Sequence, residues 1–373
     1  MVLTFNISEE LENKIEKQVT KDKKLSQELY KKIKEIIDND DQTIEYYNNL
    51  RYSFSDRKRV SVGKHFVLIF KYIKENNYWL VMKFMNLPKE FRDKKKSKNI
   101  ILPISFKTKT TRENNSCNGP KEIIKASKEI EYYDCDLNLE AYEKGIYQED
   151  LLEIKEKDFN EISHKILDRI IKLYDPNKFL ITLGSDHSTT IPIIEGISKH
   201  EKDFGIIVFD AHSDLREPWG KETWWHACTS RLISKDHKSL LVGVRSMDFY
   251  EKEYLENNKN IDLILAKDLL SSKNSFDLLE CDEFSKKLKK LPQKIYVSID
   301  VDVFDSSIIR STGTPEPNGL NWMQINNLLE KTFKEKEVIA VDLTEFSPKA
   351  KDSFLESYFL AKLVYRLIGY KNK

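Results

Sequence analysis

Gly205-Ile206-Ile207-Val208-Phe209-Asp210-Ala211-His212-Ser213-Asp214 reads as a buried β-strand that runs directly into metal-ligand chemistry. The run Ile206–Phe209 has no polar alternation, which marks a strand covered on both faces, as in a parallel sheet. Asp210, His212 and Asp214 then fall at i, i+2 and i+4, and an extended backbone turns alternate side chains to one face, so all three can converge where the strand ends. The same design occurs twice more. Phe179-Leu180-Ile181-Thr182-Leu183 leads into Gly184-Ser185-Asp186-His187-Ser188, and Lys294-Ile295-Tyr296-Val297 leads into Ser298-Ile299-Asp300-Val301-Asp302. Ligands of open α/β sheets bind just beyond the carboxyl ends of the strands. Bare carboxylates gathered at one sheet edge would repel one another unless cations held them. The three stretches therefore predict a two-metal hydrolytic site.

The donor set points to the ion. Carboxylates dominate, about one histidine is available per metal, and no cysteine occupies a ligand position. Two Mn²⁺ ions suit that set better than structural Zn²⁺, which favours thiolate and imidazole; Zn²⁺ and Fe²⁺ remain alternatives. Two ions roughly 3.5–4 Å apart can share a water and lower its pKa towards neutrality, giving a nucleophile for a planar electrophilic carbon.

Around these motifs, strand candidates near 100–105, 179–183, 204–209, 239–244, 261–265, 294–299 and 337–342 alternate with amphipathic stretches at 121–131, 159–173, 276–290 and 350–370. That alternation predicts a mostly parallel sheet with helices on both faces, a three-layer α/β/α domain over residues 100–373. The first 92 residues differ. Ser8 reads as an N-cap before Glu9 and Glu10, and Leu25, Leu29, Ile33, Ile36 and Ile37 recur at helical spacing. Strand-like runs follow at 58–62, 65–73 and 78–86, with Glu75-Asn76-Asn77 as a hairpin turn. A small α+β N-terminal domain is expected there. The basic run at 93–99 reads as a solvated linker.

The chain has 373 residues, 40% of them hydrophobic and 33% charged, enough for a large core under a charged surface. A formal net charge of +1 gives no global argument for nucleic acid or membrane partners. Cys117, Cys135, Cys228 and Cys281 are scattered without a C-x-x-C pair, which favours a reducing compartment. Met1–Phe5 soon becomes Glu- and Lys-rich without a signal-peptide apolar stretch, and no apolar run approaches membrane-spanning length. A cytoplasmic location is expected.

Two resemblances add to this. From about residue 98 to 371 the chain closely resembles the ureohydrolases, the arginase and agmatinase family. The resemblance runs through the three metal motifs, Gly313-Thr314-Pro315-Glu316-Pro317, Asp342-Leu343-Thr344-Glu345-Phe346-Ser347-Pro348 and the upstream Gly119–Ser127 segment. Residues 1–90 resemble, in element order and in the run Arg57–Phe70, the small RelE/ParE-like toxin fold. Val67 stands where such toxins usually carry an arginine, so an accessory module is expected rather than a ribonuclease.

The family resemblance implies roles by position. His187 ligates one ion, His212 the other, and Asp210 and Asp300 bridge both; Asp214 completes the first shell and, as a catalytic residue, hydrogen-bonds the shared hydroxide, while Asp302 completes the second. Glu345 pairs with the guanidinium, which suits a carboxylate's two oxygens. His226, within Trp224-Trp225-His226-Ala227-Cys228, takes the place of a proton-shuttling histidine. His65, His164, His200 and His237 have no such context and read as structural. Ser185 replaces a glycine of the family pattern beside the His187 turn, and Ser306 replaces a proline after Asp305, which predicts a looser loop. The loop Leu215–Thr223 looks unlike the arginase loop and like the agmatinase branch, with Trp219, Trp224 and Trp225 as candidates for a pocket wall. The expected reaction is hydrolysis of agmatine to putrescine and urea, with guanidinobutyrate, arginine or a formimino compound as alternative small-molecule substrates, and a non-catalytic regulator as the reading of another class. By the same resemblance the protein is a homo-oligomer, a trimer or hexamer.

Overall fold

The computed structural model describes residues 58–62, 66–70, 83–107, 115–156, 158–218, 225–270, 281–349 and 353–373. It divides into two compact units, Met1–Val81 and Met82–Lys373. In the first, Lys58–Val62 and Phe66–Phe70 pair antiparallel, with Val60 opposite Leu68. The helices expected before residue 50 and the turn at 75–77 lie outside the described residues. The strand expected at 78–86 is not formed at its described end. Phe84–Asn86 is a 3₁₀ turn in which Met85 and Asn86 have positive φ. The Phe84 N–H donates to Gln148 Oε1 and the Met85 N–H to Ser127 Oγ, so side chains of the second unit take the donors a strand would need. Phe84, Met85 and Leu87 bury in that unit's core. The second unit thus begins well before Ile100, and the run at 93–99 belongs to it, with Asn99 opening its first strand.

Among the described residues, the main sheet of that unit has nine strands: β1 (Asn99–Ser105), β2 (Ile146–Gln148), β3 (Leu152–Glu153), β4 (Phe179–Leu183), β5 (Gly205–Phe209), β6 (Ser239–Val244), β7 (Ile261–Leu265), β8 (Lys294–Asp300) and β9 (Glu337–Thr344). They lie in the order β7-β6-β5-β8-β9-β4-β1-β2, with β3 also on β1, and every pairing is parallel. The helices are α1 (Gly119–Ala126), α2 (Phe159–Leu173), α3 (Thr190–Ile197), α4 (Thr229–Ile233), α5 (Phe249–Asn257), α6 (Ala266–Leu270), α7 (Asp282–Lys290), α8 (Trp322–Glu335) and α9 (Phe354–Asn372).

Successive strand residues face two separate cores. Phe179, Ile181, Ile207, Phe209, Val297 and Ile299 meet α1, α7, α8 and α9 on one side. Leu180, Ile206, Val208 and Tyr296 meet α2, α3 and α4 on the other. This is the period-2 alternation of a strand clothed in apolar side chains on both faces, and it gives the three-layer α/β/α architecture.

Chain order places the site. β4 and β5 are consecutive in sequence yet two strands apart, because β8 and β9 insert between them. A crevice beyond the carboxyl ends of strands is expected at such a reversal. Asp300 pairs with Thr344, Ile299 with Phe209 and Leu343 with Leu183, so the four central strands end level. Gly184 lets β4 exit tightly against β9: a Cβ there would meet Thr344 Cγ2 at 2.9 Å.

Candidate metal centre

The four level strand ends deliver their polar residues to one place. His187 follows β4 within a short 3₁₀ turn whose N-cap, Asp186, accepts from Ser188 N–H. Asp210, His212 and Asp214 follow β5, Asp300 closes β8 with Asp302 just beyond, and Glu345 follows β9. Among the described residues, two groups have ligand atoms close enough to hold a metal ion: His187, Asp210 and Asp300, and Asp210, His212 and Asp302. Asp210 belongs to both.

In the first group His187 Nδ1 lies 3.0 Å from Asp210 Oδ2 and 3.0 Å from Asp214 Oδ2, and 3.4 Å from Asp300 Oδ2. In the second, His212 Nδ1 lies 2.9 Å from Asp302 Oδ2 and 3.6 Å from Asp210 Oδ1. The two oxygens of Asp210 thus face different histidines. Its Oδ2 is buried against the His187 ring, a carboxylate oxygen placed where a cation would be held.

The charges strain against burial. Asp210, Asp214, Asp300, Asp302 and Glu345 are all buried. Burial, and then repulsion from Asp302 and Asp210, push the Asp300 carboxyl well above the usual range. Burial and the nearby Asp186 push Glu345 up to about 8. Burial works against a charged His187, but its hydrogen bonding to the Asp210 and Asp214 carboxylates outweighs it and raises the imidazole well above normal. His212 is raised to about 11 in the same way, burial opposing and Asp210 and Asp302 prevailing. The buried carboxylate-rich donor set and the shared Asp210 both fit divalent cations.

Two ligand-side residues adopt the left-handed backbone that non-glycine residues avoid, Asp214 at φ 50 and Glu345 at φ 63. Such strain, of order 1–3 kcal/mol each, persists only where the surroundings impose it and concentrates at functional sites. Glu345 N–H donates to Ser185 O, and Glu345 Oε1 accepts from His187 N–H, so the β9 terminus and the β4 turn hold each other.

The site opens into a cavity of about 490 Å³ lined by His212, Asp214, Trp225, His226, Asp300 and Glu345, among others. Gly313 and Thr314 of the Gly-Thr-Pro-Glu-Pro segment also line it. All the sequence-predicted ligands converge on the two groups or, for Asp214, directly on the first, while His226 and Glu345 face the same cavity. Trp225 packs edge-on to His226 at 5.0 Å between centroids, whereas Trp219 and Trp224 lie outside the described residues. His164, His200 and His237 are engaged elsewhere, with Asn160 O, Ile171 O and Phe204 O respectively, and His65 is outside the described residues.

Sequence reasoning gave no role to Ser298 or Asp342. His187 Nε2 bonds Ser298 Oγ at 3.1 Å, and Ser298 donates to Asp342 Oδ1 at 2.7 Å. This relay fixes which ring nitrogen faces the carboxylates, the part an outer partner plays for a metal-ligating histidine. Both residues lay inside the quoted motifs; the signal was present but pointed at no ligand. Of the two departures, Ser185 has a structural use: its Oγ donates to Ile104 O and accepts from Phe106 N–H, tying the His187 turn to β1. In the loop of Ser306, Asp305 accepts from Ser307 N–H and from Gly319 N–H. The four cysteines are free thiols, and among the described residues no helix is long and apolar enough to cross a membrane.

A model of the arginase family matches residues 97–369. The N(1)-aminopropylagmatine ureohydrolase of Thermus thermophilus is 30% identical over 273 residues, 73% of this chain and 89% of that protein. The agmatinase of Pyrococcus horikoshii is 30% identical over 280 residues, 74% of this chain and 93% of its own. The agmatine ureohydrolase of Thermoplasma volcanium shares the fold with a TM-score of 0.64 at 23% identity, over 74% of this chain and 90% of that one.

Proposed function

The chain belongs to the arginase family, as a hydrolase, and on that premise we propose that it is a binuclear manganese enzyme that hydrolyses agmatine to putrescine and urea. The observation that carries the proposal is the pair of three-residue groups sharing Asp210 on the floor of a cavity that also presents Glu345 and His226.

His187, Asp210, Asp214 and Asp300 would hold one cation, and Asp210, His212 and Asp302, with Asp300 as a second bridge, the other. When bound, the cations would supply Lewis acidity and a water that is nucleophilic at neutral pH. The chain's own residues do the rest. Glu345, buried beside the ligands, pairs with the substrate guanidinium through charge-assisted hydrogen bonds. That pairing holds the planar carbon over the carboxylate floor. Water adds to this carbon and gives up a proton, the bond to the amine nitrogen breaks, and the departing nitrogen takes that proton up. His226, half-buried in the cavity wall, is the imidazole suited to deliver it.

The cavity lining also holds Asp248 and Glu251, with Arg216 the one Lys or Arg among the described lining residues. Arg216 Nε lies 3.5 Å from Asp248 Oδ2, which leaves the lining net negative and suited to a terminal ammonium. Several relatives are named for N(1)-aminopropylagmatine, and the same acidic lining favours that longer cation as a second reading. The first 92 residues are proposed as an accessory module, and the active protein as a cytoplasmic homo-oligomer.

The test is urea release from agmatine, N(1)-aminopropylagmatine, arginine and guanidinobutyrate by metal-stripped and Mn²⁺-loaded protein. Turnover of agmatine that depends on Mn²⁺ is expected. No turnover of any compound would sink the enzyme reading; a preference for arginine or guanidinobutyrate would sink only the substrate.

A further inference from the structure

The connection from β6 to α5 touches both halves of the metal centre while supplying a ligand to neither. We propose that Arg245, in this connection, and Glu251, in the first turn of α5, are positioning residues, each serving one half: Arg245 sets the site of His212 and Asp302, and Glu251 sets the site of His187 and Asp214. The proposal rests on the metal-centre reading above.

The Arg245 guanidinium is spent entirely on backbone carbonyls. Nε donates to Pro317 O at 2.9 Å, and Nη1 to Gly243 O at 3.1 Å and Val303 O at 3.4 Å. Nη2 donates to Asp302 O at 2.6 Å, Phe304 O at 3.2 Å and Glu316 O at 3.1 Å. Three consecutive carbonyls, beginning with that of Asp302, are thus held by one side chain. The backbone of the same segment holds the neighbouring ligand. The N–H groups of Arg245 and Ser246 both donate to Ala211 O, and Ala211 N–H donates to Asp302 Oδ1 at 3.0 Å. His212 and Asp302, which come from different strands, are therefore registered against each other through Arg245. A lysine cannot substitute, because a compact ammonium with three donors does not span carbonyls that a planar five-donor fork reaches.

Glu251 works on the other side. It is buried, and its Oε1 accepts from Ser213 Oγ at 2.7 Å and from Leu215 N–H at 2.9 Å. Its Oε2 accepts from Asp248 N–H at 2.8 Å, which anchors it in the capping box of α5. One carboxylate oxygen thus grips the residues on either side of Asp214, whose φ of 50 is the conformation that needs imposing. Released from that grip, Asp214 can relax to an ordinary backbone, which swings its carboxylate away from His187.

Metal-free Arg245→Lys and Glu251→Gln proteins, each also combined with Asp302→Asn and with Asp214→Asn, are titrated with Mn²⁺ by calorimetry and their bound metal counted by mass spectrometry. Wild type is expected to bind two ions. Each single variant is expected to keep one site unchanged and to weaken the other by roughly 10- to 100-fold, the usual cost of losing an outer partner. Arg245→Lys should add nothing to Asp302→Asn but weaken the site left in Asp214→Asn, and Glu251→Gln the reverse. Equal weakening of both sites, loss of both, or affinities within twofold of wild type in the single variants would overturn the assignment. A wild-type protein that binds no divalent ion would instead overturn the metal-centre reading, which this one presupposes.

Discussion

The two halves of the metal centre are built from the same residue types but differ in enclosure. His187 is 1% exposed and has three buried carboxylates around its Nδ1. His212 is 23% exposed, has Asp302 and Asp210 near its Nδ1, and looks through Nε2 towards Glu316 at 3.8 Å. The enclosed half bears the larger cost of buried charge and recruits the strained Asp214 and Glu345 to organise it. Both halves line the cavity, the enclosed one through Asp214 and Asp300 and the open one through His212 and Asp302, but of the two histidines it is His212 that faces it. One half anchors and the other gives access, and the single residue that belongs fully to both is Asp210.

Removing that shared residue should give the largest effect. Asp210→Asn keeps the shape of the side chain and deletes the charge both halves use. Loss of several kcal/mol of transition-state stabilisation is expected, a fall in kcat/KM on the order of 10³-fold or more, with bound metal dropping below one per chain. If two ions remained and a tenth of the activity survived, the halves would be independent and the comparison would fail. His226→Asn tests the open side alone. Metal content should stay full and KM nearly constant, while kcat falls about 10²-fold for want of a proton donor. A kcat within twofold of wild type would remove His226 from the reaction.

How far this contrast could be read from sequence follows from period and proximity. The seven long strands and the ligands announced themselves because apolar runs ending in Asp-x-His or Asp-x-Asp are local patterns. Helix α2 was read at its observed limits, since Ile162, Ile166 and Ile170 recur on one face behind the Asp158 cap. Helix α3 was missed: Ile191, Pro192, Ile193 and Ile194 are buried all round, which leaves no polar face to reveal the period. Strands β2 and β3, of three and two residues, are too short to carry alternation. The ligand identities were legible, but the enclosure of one half and the exposure of the other were not. Enclosure depends on how Asp214, Ser298, Asp342 and Glu345 meet from three different strands, and no spacing in the chain encodes that meeting. The merging of residues 83–99 into the catalytic unit was hidden for the same reason, because Gln148 and Ser127 are distant partners.

The smallest expected effect separates the halves by pH. In the folded, metal-free protein the Glu345 carboxyl sits at about 8 against an ordinary 4.5, so between those values the folded state keeps a proton that the unfolded state has released. Stability then falls as pH rises through that window. The raised imidazoles act in the same direction: the stability they add is complete below about 6.5 and is lost as pH climbs towards their folded values, about 11 for His212. Asp210, whose two histidine partners overcome its burial and hold it low, has the opposite sign but acts only below the ordinary carboxylate range. Metal-free protein is therefore expected to melt several degrees lower at pH 8.5 than at pH 5.5, read by circular dichroism, where a few degrees correspond to about 1 kcal/mol for a domain of this size. Mn²⁺ should raise the melting temperature more at pH 8.5, because binding to the folded state alone adds stability and no longer competes with the protons it displaces. Glu345→Gln should flatten the slope between pH 5.5 and 8.5, since it removes one titration of the enclosed half while the contributions of His187, Asp300 and His212 persist. A slope unchanged by Glu345→Gln would mean that the cost of buried charge is not concentrated where the enclosed half places it.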